Sequence, residues 1–256
     1  MISVNGLTKR FGSQLAVDSL SFEIPGGQIV GFLGPNGAGK STTLRMLTGM
    51  IEPTSGTATL AGFDLAREPL EVKRNVGFVP ESGAVFESLT GLEYLTMVAA
   101  LYGIPEGAAV DRIRQFIAFF DLSFETLTDK LLGAYSKGMR RKVVITSALL
   151  HNPPIVFFDE PLDGLDANAA VGFKALIALL AHEGKTIVYS SHILDVVERV
   201  CDRVIIIDQG KLLLDGKPDE LVSSHSSGTL EKLFTSLTGG DELERRAEDF
   251  ARTFRK

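Results

Sequence analysis

The sequence predicts an α/β fold: a mostly parallel sheet, an N-terminal antiparallel β layer and an inserted helical subdomain. Three observations carry that prediction. Residues 2–7 and 14–24 alternate apolar and polar side chains; apolar residues from about Leu92 to Leu150 recur at helical spacing without a strand among them; and from Ile155 to Asp208 short apolar runs alternate with helical patterns. The first is the signature of half-solvated strands, and the last that of a parallel sheet with helices on both faces.

Taken in order, the first two strands turn at Gly12-Ser13, and Gln28–Leu33 is an apolar run that ends in Gly34-Pro35-Asn36-Gly37. A helix follows from Ser41, with Leu44, Met46 and Leu47 on one face. Thr57–Ala61 and Asn75–Val79 are β-branched or aromatic runs bounded by Gly or Pro, which makes them strands. Beyond the helical insertion come strand Ile155–Phe158, helix Ala167–Ala181, strand Thr186–Ser190, helix Ile193–Val200 and strand Arg203–Asp208, with Lys211–Asp215 as an edge hairpin strand. Residues 223–228, rich in Ser, form a linker. After it, Leu230, Leu233, Phe234 and Leu237, then Leu243, Ala247, Phe250 and Phe254, mark two short amphipathic helices.

Composition narrows the function. The chain has 256 residues, 45% of them apolar and 23% charged, enough for a substantial core. Its 26 basic and 32 acidic side chains leave a net charge of −6, which argues against a strong non-specific grip on nucleic acid or anionic lipid. The single cysteine, Cys201, forms no intramolecular disulfide and suits a reducing compartment. The N-terminus lacks the pattern of a secretory signal, and no apolar run approaches the ~20 residues of a membrane-spanning helix.

The sharpest motif is Gly34-Pro-Asn-Gly-Ala-Gly-Lys40-Ser41, an eight-position phosphate loop set between a strand and a helix. Glycines there let backbone N–H groups turn onto a polyphosphate, and the helix adds the positive end of its dipole. Asn36, Gly37, Ala38, Gly39, Lys40, Ser41 and Thr42 are therefore the candidate cradle, with Lys40 bridging the β- and γ-phosphates and Ser41 on Mg²⁺. This makes the sheet a P-loop NTPase core. Strand 155–158 runs into Asp159-Glu160, at the sheet edge where open α/β folds bind ligands. Asp159 completes the Mg²⁺ shell, and Glu160 orients or deprotonates the attacking water. His192, after the strand at 186–190, reaches the same edge.

In this order of motifs the chain resembles the ATP-binding cassette (ABC) family, specifically its nucleotide-binding subunits, over about Ile2 to Leu221. The matching motifs are Walker A at 34–41, a signature-like Tyr135-Ser136-Lys137-Gly138-Met139, Walker B at 155–160, Pro161-Leu162-Asp163-Gly164-Leu165-Asp166 and His192. The resemblance implies that Phe11 stacks on adenine, the alternative being an ordinary β-layer core residue. It implies that Ser136 and Gly138 cap the γ-phosphate held by a second cassette, that His192 is the switch histidine, and that the 161–166 loop crosses the dimer interface. Glu81 stands where the family usually has a glutamine coupling nucleotide state to the membrane partner, and joins Ser41 and Asp159 as a candidate metal ligand. Glu81, Lys137 and Met139 depart from the common pattern and are similar to exporter-type (ABC-2) cassettes. Lys137 either helps bind phosphate or points to solvent.

The expected organisation is an ATPase domain at 1–222 with its helical subdomain at about 84–150, the linker, and C-terminal helices at 229–256. These helices either pack on their own cassette or reach the opposite subunit. The expected function is ATP hydrolysis, with ATP and Mg²⁺ as cofactors, that powers transport, export above import, through a separate integral membrane permease. The partners are that permease and a second ATPase subunit, a head-to-tail homodimer, with no nucleic acid, at the cytoplasmic face of the membrane. The alternative is a soluble ABC ATPase acting on nucleic acid or ribosomes; one Walker A, no long heptad insertion and net acidity count against it.

Overall fold

The computed structural model describes residues 1–191, 194–225, 227–239, 246, 250 and 252–254. His192 and Ile193 lie outside the described residues, as do Leu243 and Ala247 of the second C-terminal helix. In chain order the strands are β1 (Ile2–Phe11), β2 (Gln14–Ile24), β3 (Ile29–Leu33), β4 (Ser55–Leu60), β5 (Phe63–Asp64), β6 (Val76–Val79), β7 (Ile155–Asp159), β8 (Thr186–Ser190), β9 (Arg203–Asp208) and β10 (Lys211–Gly216). The helices are α1 (Lys40–Leu47), α2 (Pro69–Arg74), α3 (Gly91–Leu101), α4 (Glu106–Phe119), α5 (Phe124–Asp129), α6 (Lys137–Leu149), α7 (Ala167–His182), α8 (Leu194–Val200), α9 (Pro218–Ser224) and α10 (Leu230–Leu237).

Two sheets form. One is antiparallel, in the order β2-β1-β4-β5, and the other runs β10-β9-β3-β8-β7-β6 with only the β10–β9 pair antiparallel. The strand expected at Thr57–Ala61 thus belongs to the N-terminal layer. Strands β3, β7 and β8 are buried at every position, as sheets covered on both faces require.

Their side chains divide by strict alternation. Val30, Phe32, Ile155, Phe157 and Val188 join the core between the two sheets, which also takes Leu44 and Met46 of α1. Ile29, Leu33, Val156, Phe158, Ile187 and Tyr189 join the core on the far face, under α6, α7 and α8. At ~1.5–3 kcal/mol for each large apolar side chain buried, this two-sided burial fixes which face each residue takes, since a one-residue slip would exchange the two cores. Helices α3–α6 carry a third cluster of their own around Leu95, Ile113, Leu127 and Tyr135.

Three elements went unexpected: β5, α2 and α9. Both helices start on a proline, whose fixed φ and missing N–H suit a first helical position. Because α9 runs to Ser224, it takes the first two residues of the expected linker. Leu230 and Leu233 of α10 are buried in the far-face core, so this helix packs on its own chain.

Candidate functional site

The parallel register decides where the site lies. Asp159 pairs with Ser190, and Ser190 with Phe32, so β7, β8 and β3 reach their carboxyl ends at one level. Phe11, Gln14, Asn36, Gly37, Ala38, Gly39, Lys40, Ser41, Thr42, Glu81, Asp159 and Glu160 line one open cleft there, of about 320 Å³. The structure brings together every residue of the candidate cradle from Asn36 to Thr42, both Walker B carboxylates, Glu81 and Phe11. Ser136 and Gly138 do not line this cleft.

The loop prepares the start of α1 for an anion. Gly39 stands just before the helix at φ +102°, and a β-carbon there would come within 2.6 Å of the Ala16 carbonyl oxygen. Only glycine fits. No side chain caps α1, whereas Thr90, Ser136, Asp166 and Thr229 cap α3, α6, α7 and α10. Uncapped N–H groups at the positive end of a helix are free to meet phosphate.

Lys40 folds back over the loop, donating to the carbonyl oxygens of Gly34 (2.5 Å) and Pro35 (3.1 Å). Burial lowers its pKa below the ordinary lysine value, and the nearby carboxylates of Glu160, Asp159 and Glu81 oppose that shift. Among the described residues the cleft therefore pairs one half-buried cation with three carboxylates, which favours a ligand that brings both anionic phosphate and a counter-cation.

Asp159 is buried at 2% exposure. Glu160 follows in the left-handed region, φ +50°, with its N–H donating to the Ser190 carbonyl oxygen at 3.0 Å. A non-glycine residue there is disfavoured by about 1–2 kcal/mol. This turn takes the chain off the strand and leaves Glu160 on the cleft wall. Phe11 is 50% exposed and so is not a core residue. The Lys9 ammonium, tied to the Glu52 carbonyl oxygen at 2.6 Å, sits 5.1 Å from its ring centroid.

The signature-like segment opens α6. Ser136 is the N-cap, its Oγ accepting from Met139 N–H at 3.2 Å, so the helix starts at Lys137, next to Gly138. Lys137 donates to Asp163 Oδ2 at 2.6 Å, across to the loop after Walker B. Asp166 caps α7 through Ala169 N–H at 2.8 Å, which with its bond from Lys142 holds its carboxyl below the usual range. Sequence reasoning missed Gln14 and Ala16, whose β2 position walls the cleft, and Arg141, a charged side chain only 3% exposed. No motif marks the first two; a basic residue on the inward face of a helix is the one signal for the third.

A glycine-cradled, uncapped helix start opposite two strand-end carboxylates defines a P-loop nucleotide-binding cassette. The family model described as "ABC transporter" matches residues 17–163. The chain is similar to the ABC transporter ATP-binding protein NatA of Bacillus subtilis (strain 168), at 38% identity over 92% of this chain and 97% of that one. It is also similar to the Nod factor export ATP-binding protein I of Ralstonia nicotianae, at 39% identity over 87% and 69%. Among solved structures, an ATP-binding subunit of an ABC transporter superposes with TM-score 0.86 at 31% identity, covering 93% of this chain and 99% of that one. A dimeric bacterial ABC transporter cassette superposes with TM-score 0.77 at 25% identity, over 85% and 98%. The chain belongs to the ABC transporter family: it is an ATP-hydrolysing, nucleotide-binding subunit of such a transporter. No described helix is long and apolar enough to cross a membrane.

Proposed function

We propose that the cleft binds Mg²⁺·ATP and that two copies of the chain, meeting head to tail, complete each other's sites. One observation carries this reading: Lys40, Asp159 and Glu160 share a cleft that Ser136 and Gly138 of the same chain do not line. The likeness to a dimeric cassette supports it. Ser41, Asp159 and Glu81 fit a magnesium ion by chemistry, as hard oxygen donors lining one cleft. Among the described residues no group of three or more His, Cys, Asp or Glu forms a dedicated metal cage, which suits an ion that keeps waters and phosphate oxygens in its shell. When bound, the ion offsets charge on the β- and γ-phosphates.

The chain's own groups do the rest. Uncapped N–H groups of α1 and the glycine loop hold the phosphates, and Lys40 leaves the Gly34 and Pro35 carbonyl oxygens to meet them. Phe11 offers an aromatic face to the adenine. Glu160 orients the attacking water and accepts its proton, with His192 close to the γ-phosphate. Hydrolysis removes the charge that bridges the two copies, so the closed pair opens; the differential affinity of ATP and ADP for the two states drives the cycle.

The membrane permease docks on the helical subdomain near Glu81–Leu101. There Met50, Phe78, Tyr94, Val98, Leu101 and Tyr102 line an apolar groove, with Leu101 79% exposed. The chain works at the cytoplasmic face of the membrane, without nucleic acid. In this reading residues 1–222 are the ATPase unit and 84–150 its helical subdomain. The direction is export, supported by the likeness to the Nod factor export protein and by Glu81, Lys137 and Met139.

Glu160→Gln tests the reading. It should keep ATP binding, lose hydrolysis by ~10²-fold or more and accumulate an ATP-dependent dimer. Phosphate release at the wild-type rate removes Glu160 from its role.

A further inference from the structure

We propose that Arg141 is a positioning residue: a buried clamp that joins the two loops of the chain's own hydrolytic site to the signature segment it presents to a second cassette. Arg141 lies in the first turns of α6 and is 3% exposed. Its guanidinium donates to three backbone carbonyl oxygens: Nη1 to Pro80 at 2.7 Å, Nη2 to Glu81 at 2.8 Å and Nε to Asp163 at 3.3 Å. These oxygens belong to different loops. One follows β6 and carries Glu81 into the cleft; the other follows β7 and Glu160. The helix that holds Arg141 opens with Ser136, Lys137 and Gly138.

Two further observations tie the start of α6 to the 161–166 loop. Gly138 packs so closely on the 161–166 loop that a β-carbon would stand 2.5 Å from the Gly164 carbonyl oxygen. Lys137 reaches the same loop through Asp163. Burying a charge without a formal ion pair is costly, and it is tolerated where donors are satisfied and carboxylates lie near. Burial depresses the Arg141 pKa, while Asp163, Asp159, Glu81 and Glu160 pull it back up. A planar fork reaches three carbonyl oxygens at fixed angles; a lysine ammonium, a point charge on a flexible stem, does not hold that geometry.

A displacement of Glu81 or of the loop after Glu160 is therefore imposed on the start of α6. Loss of the γ-phosphate in one site is felt at the half-site offered to the other, through a residue that touches no nucleotide. The inference rests on the proposed reading of Ser136 and Gly138 as that half-site.

The test uses full-length Arg141→Lys, with Arg203→Lys as reference. Arg203 makes a comparable fork far from the cleft, to Asp215 at 2.5 and 2.6 Å and to the Glu23 carbonyl oxygen at 2.8 Å. Two quantities are read: kcat and KM for ATP, and nucleotide-free hydrogen–deuterium exchange of residues 80–87 and 161–166. Arg141→Lys should lower kcat ~10-fold with KM within about twofold, since a misplaced catalytic group costs rate before binding. It should speed exchange in both loops, while Arg203→Lys leaves kcat and both loops as in wild type. A kcat within about twofold of wild type, or faster exchange in one loop alone, overturns the clamp. If Arg141→Lys does not accumulate as folded protein, Arg141→Gln, which removes the buried charge, is read by the same criteria. Should the wild-type chain release no phosphate, the reading of the cleft fails, and the exchange of the two loops still decides Arg141.

Discussion

Two helix starts in this chain, which the proposed function gives the same kind of ligand, are built in opposite ways. α1 follows a left-handed glycine and receives no side-chain cap; α6 begins on Ser136, whose hydroxyl already accepts from Met139 N–H. The first leaves backbone donors open within its own cleft. The second already gives the Met139 N–H to its cap within the single chain, and in the proposed reading it meets phosphate only when a second copy brings one. In the proposed reading the contrast separates two roles: the open helix start holds the nucleotide of its own cleft, and the capped one meets nucleotide only across the pair of cassettes.

The largest effect should come from the open end. Lys40→Ala removes the only basic side chain among the described residues that line the cleft, and hydrolysis should fall ~10²-fold or more, as loss of a preorganised charge donor does. Steady-state phosphate release measures it. Unaltered turnover would break the comparison at its stronger side.

At the closed end, two substitutions separate the cap from the half-site. Ser136→Ala loses the cap and should cost ~1 kcal/mol of stability in denaturant unfolding. Ser136→Asp is as good a cap and suits the helix dipole, so stability should stay within ~0.5 kcal/mol of wild type. Its carboxylate, however, would face the partner's γ-phosphate, and ATP-driven dimerisation in the Glu160→Gln background should weaken ~10-fold or more. An Asp variant that dimerises like its parent would make the start of α6 structural only.

Much of this was legible in the sequence because the decisive features are local. The phosphate loop and Asp159-Glu160 sit at the ends of apolar runs whose full burial requires that composition, and the helical pattern at 92–150 persists because α3–α6 share a cluster of their own. What escaped depends on partners far along the chain. The β4 strand joined the antiparallel layer through β1, a pairing no local pattern specifies. Phe11 could have been an ordinary β-layer core residue; only the fold shows β1 outrunning β4, whose last pair is Thr8 with Ser55, and leaving the ring half exposed. Arg141 binds carbonyl oxygens 60 and 22 positions away, and a backbone oxygen has no letter in a sequence.

Lys137 gives the finest test of the difference between the two ends, because it follows the capped serine as Lys40 follows Gly39. Its sequence position left open whether it binds phosphate or meets solvent. The fold gives a third arrangement: the ammonium pairs with Asp163 at 2.6 Å while its side chain stays 65% exposed. An exposed pair of this kind is screened by water and salt and contributes roughly 0–1 kcal/mol. With Arg141 buried beneath it and already holding the Asp163 carbonyl oxygen, the pair duplicates a link that exists. Lys137→Ala should therefore lower stability by less than ~0.5 kcal/mol and leave phosphate release within about twofold of wild type at 0.15 M salt. A tenfold loss of turnover at unchanged stability would instead make Lys137 a phosphate ligand, and the two helix starts would then share a lysine-based grip in place of the division between open and closed ends.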